Sequence, residues 1–174
     1  MNSMHPSHQK ITSHAFFSPG KDCLHAIISA IDAAEKTIKI CVFTISDDRI
    51  SEAIVQAHRR GVSIRIITDN NKLHDAGSDI RELAAKGLEV RIDKTRSHMH
   101  HKFAIFDEVR VLTGSYNWTR SAALYNHENI LVTDNQSIVH DYSKEFDRLW
   151  MSMMKYSPGG KSRDKFRWNV EQDR

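Results

Sequence analysis

The strongest constraint on the fold is a repeated order of elements, in which a helical pattern ends at a glycine and a short apolar strand follows. Gly61 ends the helical pattern of residues 47–60, and Gly87 ends the pattern of residues 78–86. Glycine is the usual residue just beyond a helix C-terminus, and strands that alternate with helices form sheets covered by helices. The sequence therefore predicts an α/β fold, with a mixed, largely parallel sheet flanked by helices on both faces.

The other elements follow from apolar spacing and from short β-branched runs. Helical spacing predicts a helix over residues 19–35, with Ser18 as its cap and Pro19 in its first turn. A last helix opens at Asn135 or Ser137. Strands are predicted at 37–43, 62–68, 88–92, 101–107, 110–114 and 128–134. The fourth and fifth of these strands are expected to pair as a hairpin.

The length of 174 residues fits a single domain with one core. We expect an N-terminal tail over 1–13, one α/β domain over 14–156 and a polar tail over 157–174. The C-terminal tail is charged and carries two aromatic residues, so its composition suits either disorder or docking on a partner.

Composition narrows the class of protein without naming it. The net charge of +3 and the pI near 8.9 give a mild bias toward anionic partners. Cys23 and Cys41 have no CxxC spacing, so the sequence predicts no zinc or redox centre and no cofactor. No stretch approaches the roughly 18 apolar residues of a membrane span, and the N-terminus lacks the apolar core of an export signal. A cytoplasmic location is expected.

One segment carries most of the polar residues that suggest chemistry. From His100 the chain reads H-x-K-x4-D-x6-G-S-x-N, with Lys102, Asp107, Ser115 and Asn117 at the fixed positions. In a strand, residues two apart share a face, so His100 and Lys102 are expected to project together. Asp107, on the turn after the strand, is expected to hold structure rather than to touch substrate.

This pattern resembles the HKD signature of the phospholipase D superfamily over its full length. Glu128 also falls where that family's downstream acidic residue is expected. The chain is similar to the small single-motif members, such as the bacterial Nuc-type endonucleases and the mitochondrial cardiolipin hydrolase and Zucchini group, over roughly residues 14–152. The N-terminal hydrophobic segment and the zinc-binding insertion of the second group are not found in this sequence.

The resemblance implies a phosphodiesterase that needs no metal. We expect His100 to attack phosphorus and form a phosphohistidine that water resolves. Lys102 and Asn117 are expected to bind the nonbridging oxygens, and Ser115 to add a hydroxyl or backbone N–H to the same site. Glu128 is the candidate for orienting the His100 ring.

One motif per chain implies that two chains build one site. The family resemblance therefore predicts a two-fold homodimer in which His100 of the partner subunit gives the leaving oxygen its proton. A nonspecific endonuclease on DNA or RNA is expected, with Arg91, Lys94, Arg96 and, less directly, Lys72 along the sugar-phosphate backbone. A phospholipase D acting on phospholipid head groups is the alternative.

Two further interpretations stay open at this point. His98, His100 and His101 could hold a metal ion, although Lys102 would then place a cation beside it. The chain could also be a nucleic-acid-binding module that has lost catalysis, although the motif is intact.

Overall fold

The computed structural model describes residues 10–73, 75 and 77–158. The strands are β1 (Ser13–Phe17), β2 (Thr37–Val42), β3 (Ile45–Ser46), β4 (Ser63–Thr68), β5 (Glu89–Ile92), β6 (Lys102–Phe106), β7 (Arg110–Gly114), β8 (Trp118–Thr119), β9 (Asn129–Thr133) and β10 (Met154–Tyr156). The helices are α1 (Asp22–Ala33), α2 (Asp48–Arg59), α3 (Ile80–Ala85), α4 (Arg120–Leu124) and α5 (Gln136–Ser152), with a 3₁₀ turn at Asn70–Leu73. Most of both predicted tails lies outside the described residues.

Eight strands form one sheet in the order β1-β9-β7-β6-β2-β4-β5-β10, while β3 and β8 pair separately. Within the described residues, β2–β4 and β4–β5 are the parallel pairs of the large sheet, and its other neighbouring strands are antiparallel. The predicted mixed α/β sheet is confirmed, but "largely parallel" is wrong. The helix–glycine–strand units account for the parallel part, whereas the second half of the chain folds by hairpin-like antiparallel pairing.

Helices cover both faces of the sheet, as predicted. One core cluster joins α1, α2, α3 and α4 to the sheet, and it includes Ile27, Ile54 and Trp118. The opposite face carries α5, whose Phe146 and Trp150 pack with buried residues of β2, β4, β6 and β7. The alternation of buried side chains to opposite faces of each central strand makes this three-layer arrangement possible.

The predicted hairpin of β6 and β7 is present and is closed by a tight turn. Asp107 and Glu108 both have positive φ, at 52° and 58°. Two such residues in succession are the geometry of a type I′ turn, whose twist matches that of the paired strands. The Asp107 carboxylate accepts hydrogen bonds from the backbone N–H groups of Glu35, Lys36 and Thr37, at 2.9, 2.7 and 2.8 Å. The turn is thereby tied to the start of β2.

The start of the first helix differs from the prediction. α1 begins at Asp22, and its cap residue Lys21 makes no side-chain capping bond. Ser18 instead donates from its hydroxyl to the carbonyl of Asn126 and accepts from the N–H of Glu128, at 2.8 and 3.1 Å. A serine before a proline reads as a helix cap locally, but here its hydroxyl ties β1 to a loop more than a hundred residues away.

The boundaries of α2 and α3 lie within two residues of the predicted ones, whereas α4 was not predicted. Asn135 caps α5, because its side chain accepts from the N–H groups of Ser137 and Ile138. None of the described helices is long and apolar enough to cross a membrane.

Candidate active site

The candidate site lies at the carboxyl ends of the parallel strands β2 and β4. Phe43 follows β2 and Asp69 follows β4, and the segment 98–101 runs across this edge before it enters β6. The backbone N–H of Phe43 donates to the carbonyl of His101 at 2.9 Å, which fixes the segment against β2. Ligand sites of open α/β sheets commonly lie at such an edge.

His100 and Lys102 project to the same side, as strand alternation predicts. The Lys102 Nζ lies 3.2 Å from Nδ1 and 3.4 Å from Nε2 of His100, and it donates to the His100 carbonyl at 2.8 Å. Lys102 is only 9% exposed, whereas His100 is exposed. A buried cation thus stands behind an accessible imidazole.

The electrostatics of this pair favour an uncharged imidazole. Partial desolvation is the main cause that lowers the pKa of His100, and the Lys102 charge lowers it further. Burial also lowers the pKa of Lys102, which the nearby Glu128 carboxylate partly offsets. At neutral pH the His100 ring therefore keeps a free lone pair.

Phe43 is a site residue that sequence reasoning missed. Its ring centroid lies 4.7 Å from that of His100 and 5.5 Å from that of His98, both edge-on. The ammonium groups of Lys72 and Lys102 lie 5.1 and 5.4 Å from the same centroid. Phe43 therefore organises two imidazoles and two cations through ring edges and cation–π contacts.

Asp69 is a second residue that the sequence analysis did not single out. Its side chain is fully buried, and its carboxylate contacts Nδ1 of His98 at 3.1 Å and accepts from the N–H of Met99 at 3.0 Å. It also accepts from the N–H of Asn71 at 2.9 Å. Asp69 thus holds the segment that presents His100. The signal available in the sequence was its position directly after a predicted strand, next to the strand that ends at Phe43.

Gly114 and Ser115 contact the backbone of strand β9 directly and do not form an open anion-binding loop. A Cβ at Gly114 would lie 2.0 Å from the carbonyl oxygen of Asn129, so only glycine fits there. The N–H of Ser115 donates to that same oxygen at 3.1 Å, which removes the backbone N–H from the groups available to a ligand. The Ser115 hydroxyl accepts from the N–H of Asn129 at 3.1 Å and keeps its own hydrogen to donate.

The segment after Ser115 carries buried polar atoms without partners. The Oδ1 of Asn117, the hydroxyl of Tyr116 and Nε1 of Trp118 are buried and have no hydrogen-bond partner among the described residues. Unpaired buried polar groups cost free energy and often mark functional positions. Asn117 as a whole residue is partly exposed, whereas its Oδ1 is buried.

Glu128 stands near the site but does not orient His100 within one chain. Its carboxylate accepts from the side-chain amide of Asn126 at 3.2 Å, and its charge acts on Lys102. No hydrogen bond joins Glu128 to His100 in the part of the chain that the structure describes. The predicted orienting contact is therefore not made inside a single chain.

The four predicted substrate-binding residues lie in three places. Arg91 lies with its guanidinium 4.6 Å from the Trp150 ring centroid and donates to the carbonyls of Trp150 and Met153, so it packs against the end of α5. Lys72 lies over Phe43 and pairs with Asp75 at 2.6 Å. Lys94 and Arg96 are exposed on the loop that leads to His98.

The three histidines of the metal interpretation do not converge. His98 is held by Asp69 and His100 lies against Lys102, whereas His101 faces Glu145 at 3.7 Å. Among the described residues, no group of three or more His, Cys, Asp or Glu side chains is arranged to hold a metal ion.

Comparison with known proteins agrees with this geometry. The model of the family described as "Cardiolipin synthase, PLD-like domain" matches residues 27–150. A mitochondrial cardiolipin hydrolase of Chlamydomonas reinhardtii is 42% identical over 137 residues, which is 79% of this chain and 61% of that protein. A phospholipase D of Rickettsia conorii is 35% identical over 126 residues, 72% of this chain and 63% of that protein.

The same fold is found in a solved structure of the superfamily. Nuc from Salmonella typhimurium, a phospholipase D family member, superposes with a TM-score of 0.80 at 27% identity, and the match covers 85% of this chain and 99% of Nuc. The chain spans about three fifths of the length of the two curated relatives. The family prediction made from the His100–Asn117 motif is confirmed, and this chain belongs to the PLD-like domain family of the phospholipase D superfamily.

Proposed function

We propose that this chain is a metal-independent phosphodiesterase with His100 as its nucleophile. The observation that carries the proposal is the accessible His100 ring beside the buried Lys102 ammonium. A neutral imidazole is the nucleophilic form, and the lowered pKa of His100 supplies it at neutral pH. The cation behind it offsets the negative charge of the phosphodiester, which would otherwise repel a nucleophile.

The reaction runs in two displacements. A ring nitrogen of His100 forms a bond to phosphorus while the bond from phosphorus to the leaving oxygen breaks. Lys102, the Asn117 amide and the Ser115 hydroxyl donate to the nonbridging oxygens. A water oxygen then attacks phosphorus, the phosphorus–nitrogen bond breaks, and the water gives its proton to the imidazole that protonated the leaving oxygen in the first step.

The leaving oxygen needs a proton, and His100 of the partner subunit is the proposed donor. This proposal rests on the presence of one motif per chain and on the requirement for a second imidazole of the same kind. A two-fold dimer would bring the two motifs together. Glu128 makes no hydrogen bond to His100 within one chain. We therefore propose that its carboxylate acts in the site formed by two chains, where it stabilises an imidazole that becomes positively charged.

We propose nucleic acid as the first substrate class, cleaved without sequence preference. The match over almost the whole of Nuc supports this choice, as do the cations Lys72, Lys94 and Arg96 beside or leading into the site. Phospholipid is the second candidate. It is favoured by curated relatives that are named cardiolipin hydrolase and phospholipase D.

The location of the protein is a separate question. The cytoplasmic location expected from the sequence stays a prediction, and the Chlamydomonas relative is named as mitochondrial.

The deciding experiment follows hydrolysis of an aryl phosphodiester and of a labelled single-stranded oligonucleotide in excess EDTA. Wild type should turn over in the chelator and behave as a dimer in solution, and His100→Ala should lose activity by a factor of about 10³ or more. His101→Ala removes the neighbouring exposed imidazole and serves as the matched control. Activity that EDTA abolishes, or that survives in His100→Ala, would overturn the proposal.

A further inference from the structure

A second imidazole lies beside the proposed nucleophile and has no part in the two displacements. The His98 side chain is 54% exposed, whereas Asp69, which contacts its Nδ1, is fully buried. His98 Nε2 has no hydrogen-bond partner among the described residues. A carboxylate fixed on one ring nitrogen orients the ring and supports a positive charge on it.

His98 and His100 contact the same aromatic ring. Phe43 lies between them, with ring centroids at 5.5 and 4.7 Å. The charge of His98 is also one of the causes that lower the pKa of His100, so the two imidazoles are electrostatically coupled. A ligand group bound at His98 would therefore be adjacent to the phosphodiester at His100, but separate from it.

A small pocket adjoins His98. Its volume is about 180 Å³, and Lys94, Ser97 and His98 contribute to its lining. The lining also includes the buried Asp93 carboxylate, which accepts from the N–H of Asn70 at 2.7 Å and from Thr95 at 3.3 Å, and these donors offset part of its negative charge. The hydroxyl hydrogens of Thr95 and Ser152 are already donated to protein oxygens. The donors left to a ligand in the lining are therefore the Lys94 ammonium, the Ser97 hydroxyl and the His98 ring.

These contacts suit a phosphate better than a sugar or an apolar group. The Lys94 ammonium is a donor, and a protonated His98 ring donates from Nε2 while Nδ1 faces Asp69; charge-assisted bonds to phosphate oxygens are the stronger class of hydrogen bond.

We propose that His98, fixed by Asp69, and Lys94 form a subsite for a second phosphodiester of the same substrate molecule. The proposal rests on the phosphodiesterase function proposed above and narrows its substrate class to molecules with two phosphodiesters a few bonds apart. A polynucleotide backbone has this chemistry, and so does a diphosphatidylglycerol lipid. His98 and Lys94 are binding residues here and take no proton from the reacting atoms.

The test compares substrates that differ by one phosphodiester. Wild type should have a higher kcat/KM for a trinucleotide, which has two phosphodiesters, than for a dinucleotide, which has one. His98→Ala should lower this trinucleotide-to-dinucleotide ratio about tenfold, which corresponds to about 1.4 kcal/mol, mainly through KM. Lys94→Ala should lower the ratio in the same direction without touching Asp69. The matched control His101→Ala, which removes a ring of 50% exposure, should leave the ratio unchanged.

His98→Gln guards against a purely structural effect, since its amide can still donate to Asp69 but carries no charge. It should lower the ratio like His98→Ala while the urea unfolding midpoint stays close to wild type. A parallel arm measures the ratio of kcat/KM for vesicles of diphosphatidylglycerol, which has two phosphodiesters, to kcat/KM for vesicles of phosphatidylglycerol, which has one. If the His98 variants lower the lipid ratio but not the nucleotide ratio, the source of the second phosphodiester is lipid.

The outcomes separate this inference from the function on which it rests. Ratios that do not change in His98→Ala and Lys94→Ala, for nucleotides and for lipids, would overturn the subsite. A wild type without preference for two phosphodiesters in either arm would do the same. Absence of aryl phosphodiester turnover in the wild type, or its survival in His100→Ala, would instead overturn the phosphodiesterase proposal.

Discussion

The Lys102 ammonium lies within 3.4 Å of both ring nitrogens of His100 and donates to the carbonyl oxygen of the same residue at 2.8 Å. If the His100 ring were protonated, the adjacent Lys102 ammonium would repel its positive charge. The pair therefore combines two properties in a small volume, an uncharged nucleophile and a fixed positive charge. Each property leads to a separate prediction.

Lys102→Met should remove most of the activity and little of the stability. The substitution deletes one charged donor to the phosphoryl oxygens, for which we expect a loss in kcat/KM by a factor of about 10² to 10³. Methionine has a similar length, and it replaces a desolvated cation that is only 9% exposed, so the urea unfolding midpoint should stay or rise. Lys102→Arg should not restore activity, because the planar guanidinium does not fit the place of a compact ammonium. Activity above a tenth of wild type in Lys102→Met would contradict the assigned role.

The protonation of His100 should depend on Lys102. In wild type the imidazole should titrate below the ordinary histidine pKa of about 6.5, since desolvation and the Lys102 charge both disfavour the cation. Removal of that charge in Lys102→Met should raise the pKa of His100, so the neutral fraction at a given acidic pH falls. NMR of the imidazole C–H resonances measures this directly. Lys144→Met, an exposed lysine on α5, is the control. An equal His100 titration in wild type and Lys102→Met would rule out the coupling.

Gly114→Ala should destabilise the protein through the backbone of β9. The added Cβ would approach the carbonyl oxygen of Asn129 to 2.0 Å, and the other atoms it would meet are also backbone atoms, of Asn129 and Ile130, which have little room to relax. We expect a loss of about 2 kcal/mol or more in the free energy of unfolding, measured in urea. Activity should fall as well, since Ser115 and Asn117 follow this contact directly. Ser63→Ala, at an exposed position of β4, is the control, and an unfolding midpoint equal to wild type in Gly114→Ala would show that the strands can separate there.

Asp107→Asn should lower the free energy of unfolding and make it less sensitive to acidic pH, without changing the catalytic turnover. Partial burial alone would raise the pKa of Asp107, but hydrogen bonds from the N–H groups of Glu35, Thr37 and Lys36 lower it overall. A carboxylate with a lowered pKa in the folded state contributes stability that is present above its unfolded value of about 3.9 and is lost as pH falls through the folded value.

Asparagine tolerates the positive φ of position 107 but offers one acceptor oxygen instead of two. We expect a loss of about 1 to 3 kcal/mol at neutral pH, and a smaller fall in stability between pH 5 and 2 than in wild type. Urea unfolding across this pH range checks both points. Turnover per folded molecule should not change. A wild-type pH dependence in Asp107→Asn would assign the acid sensitivity to other carboxylates.

Much of the local structure could be predicted from the sequence. The ends of α2 and α5, the turn between β6 and β7 and the shared side of His100 and Lys102 all depend on neighbours a few residues apart. Capping residues and the alternation of a strand act over such short distances, so a single sequence contains them. The spacing of the motif likewise placed the chain in its family, which the comparisons confirm.

Other features depend on which segments the fold brings together. Ser18 looks like a cap but bonds to Asn126 and Glu128, and Gly114 makes room for the carbonyl oxygen of Asn129, which lies fifteen residues later in the chain. Strand β1, which the sequence analysis did not predict, pairs with β9 across the full length of the domain. The sheet is mostly antiparallel for the same reason, since β6 pairs with β2 and β7 pairs with β9 through contacts that local propensity does not specify.

The sequence by itself determined the family, the candidate nucleophile and the lysine beside it, because the motif fixes their spacing and residues two apart in an extended segment share a side. Only the tertiary structure decided that Phe43 and Asp69 complete the site, and that Glu128 makes no bond to His100 within one chain. Those relationships join residues from about thirty to sixty positions apart at one edge of the sheet. The physical reason is that side-chain direction follows from local backbone geometry, whereas proximity across strands follows from how the whole sheet is paired.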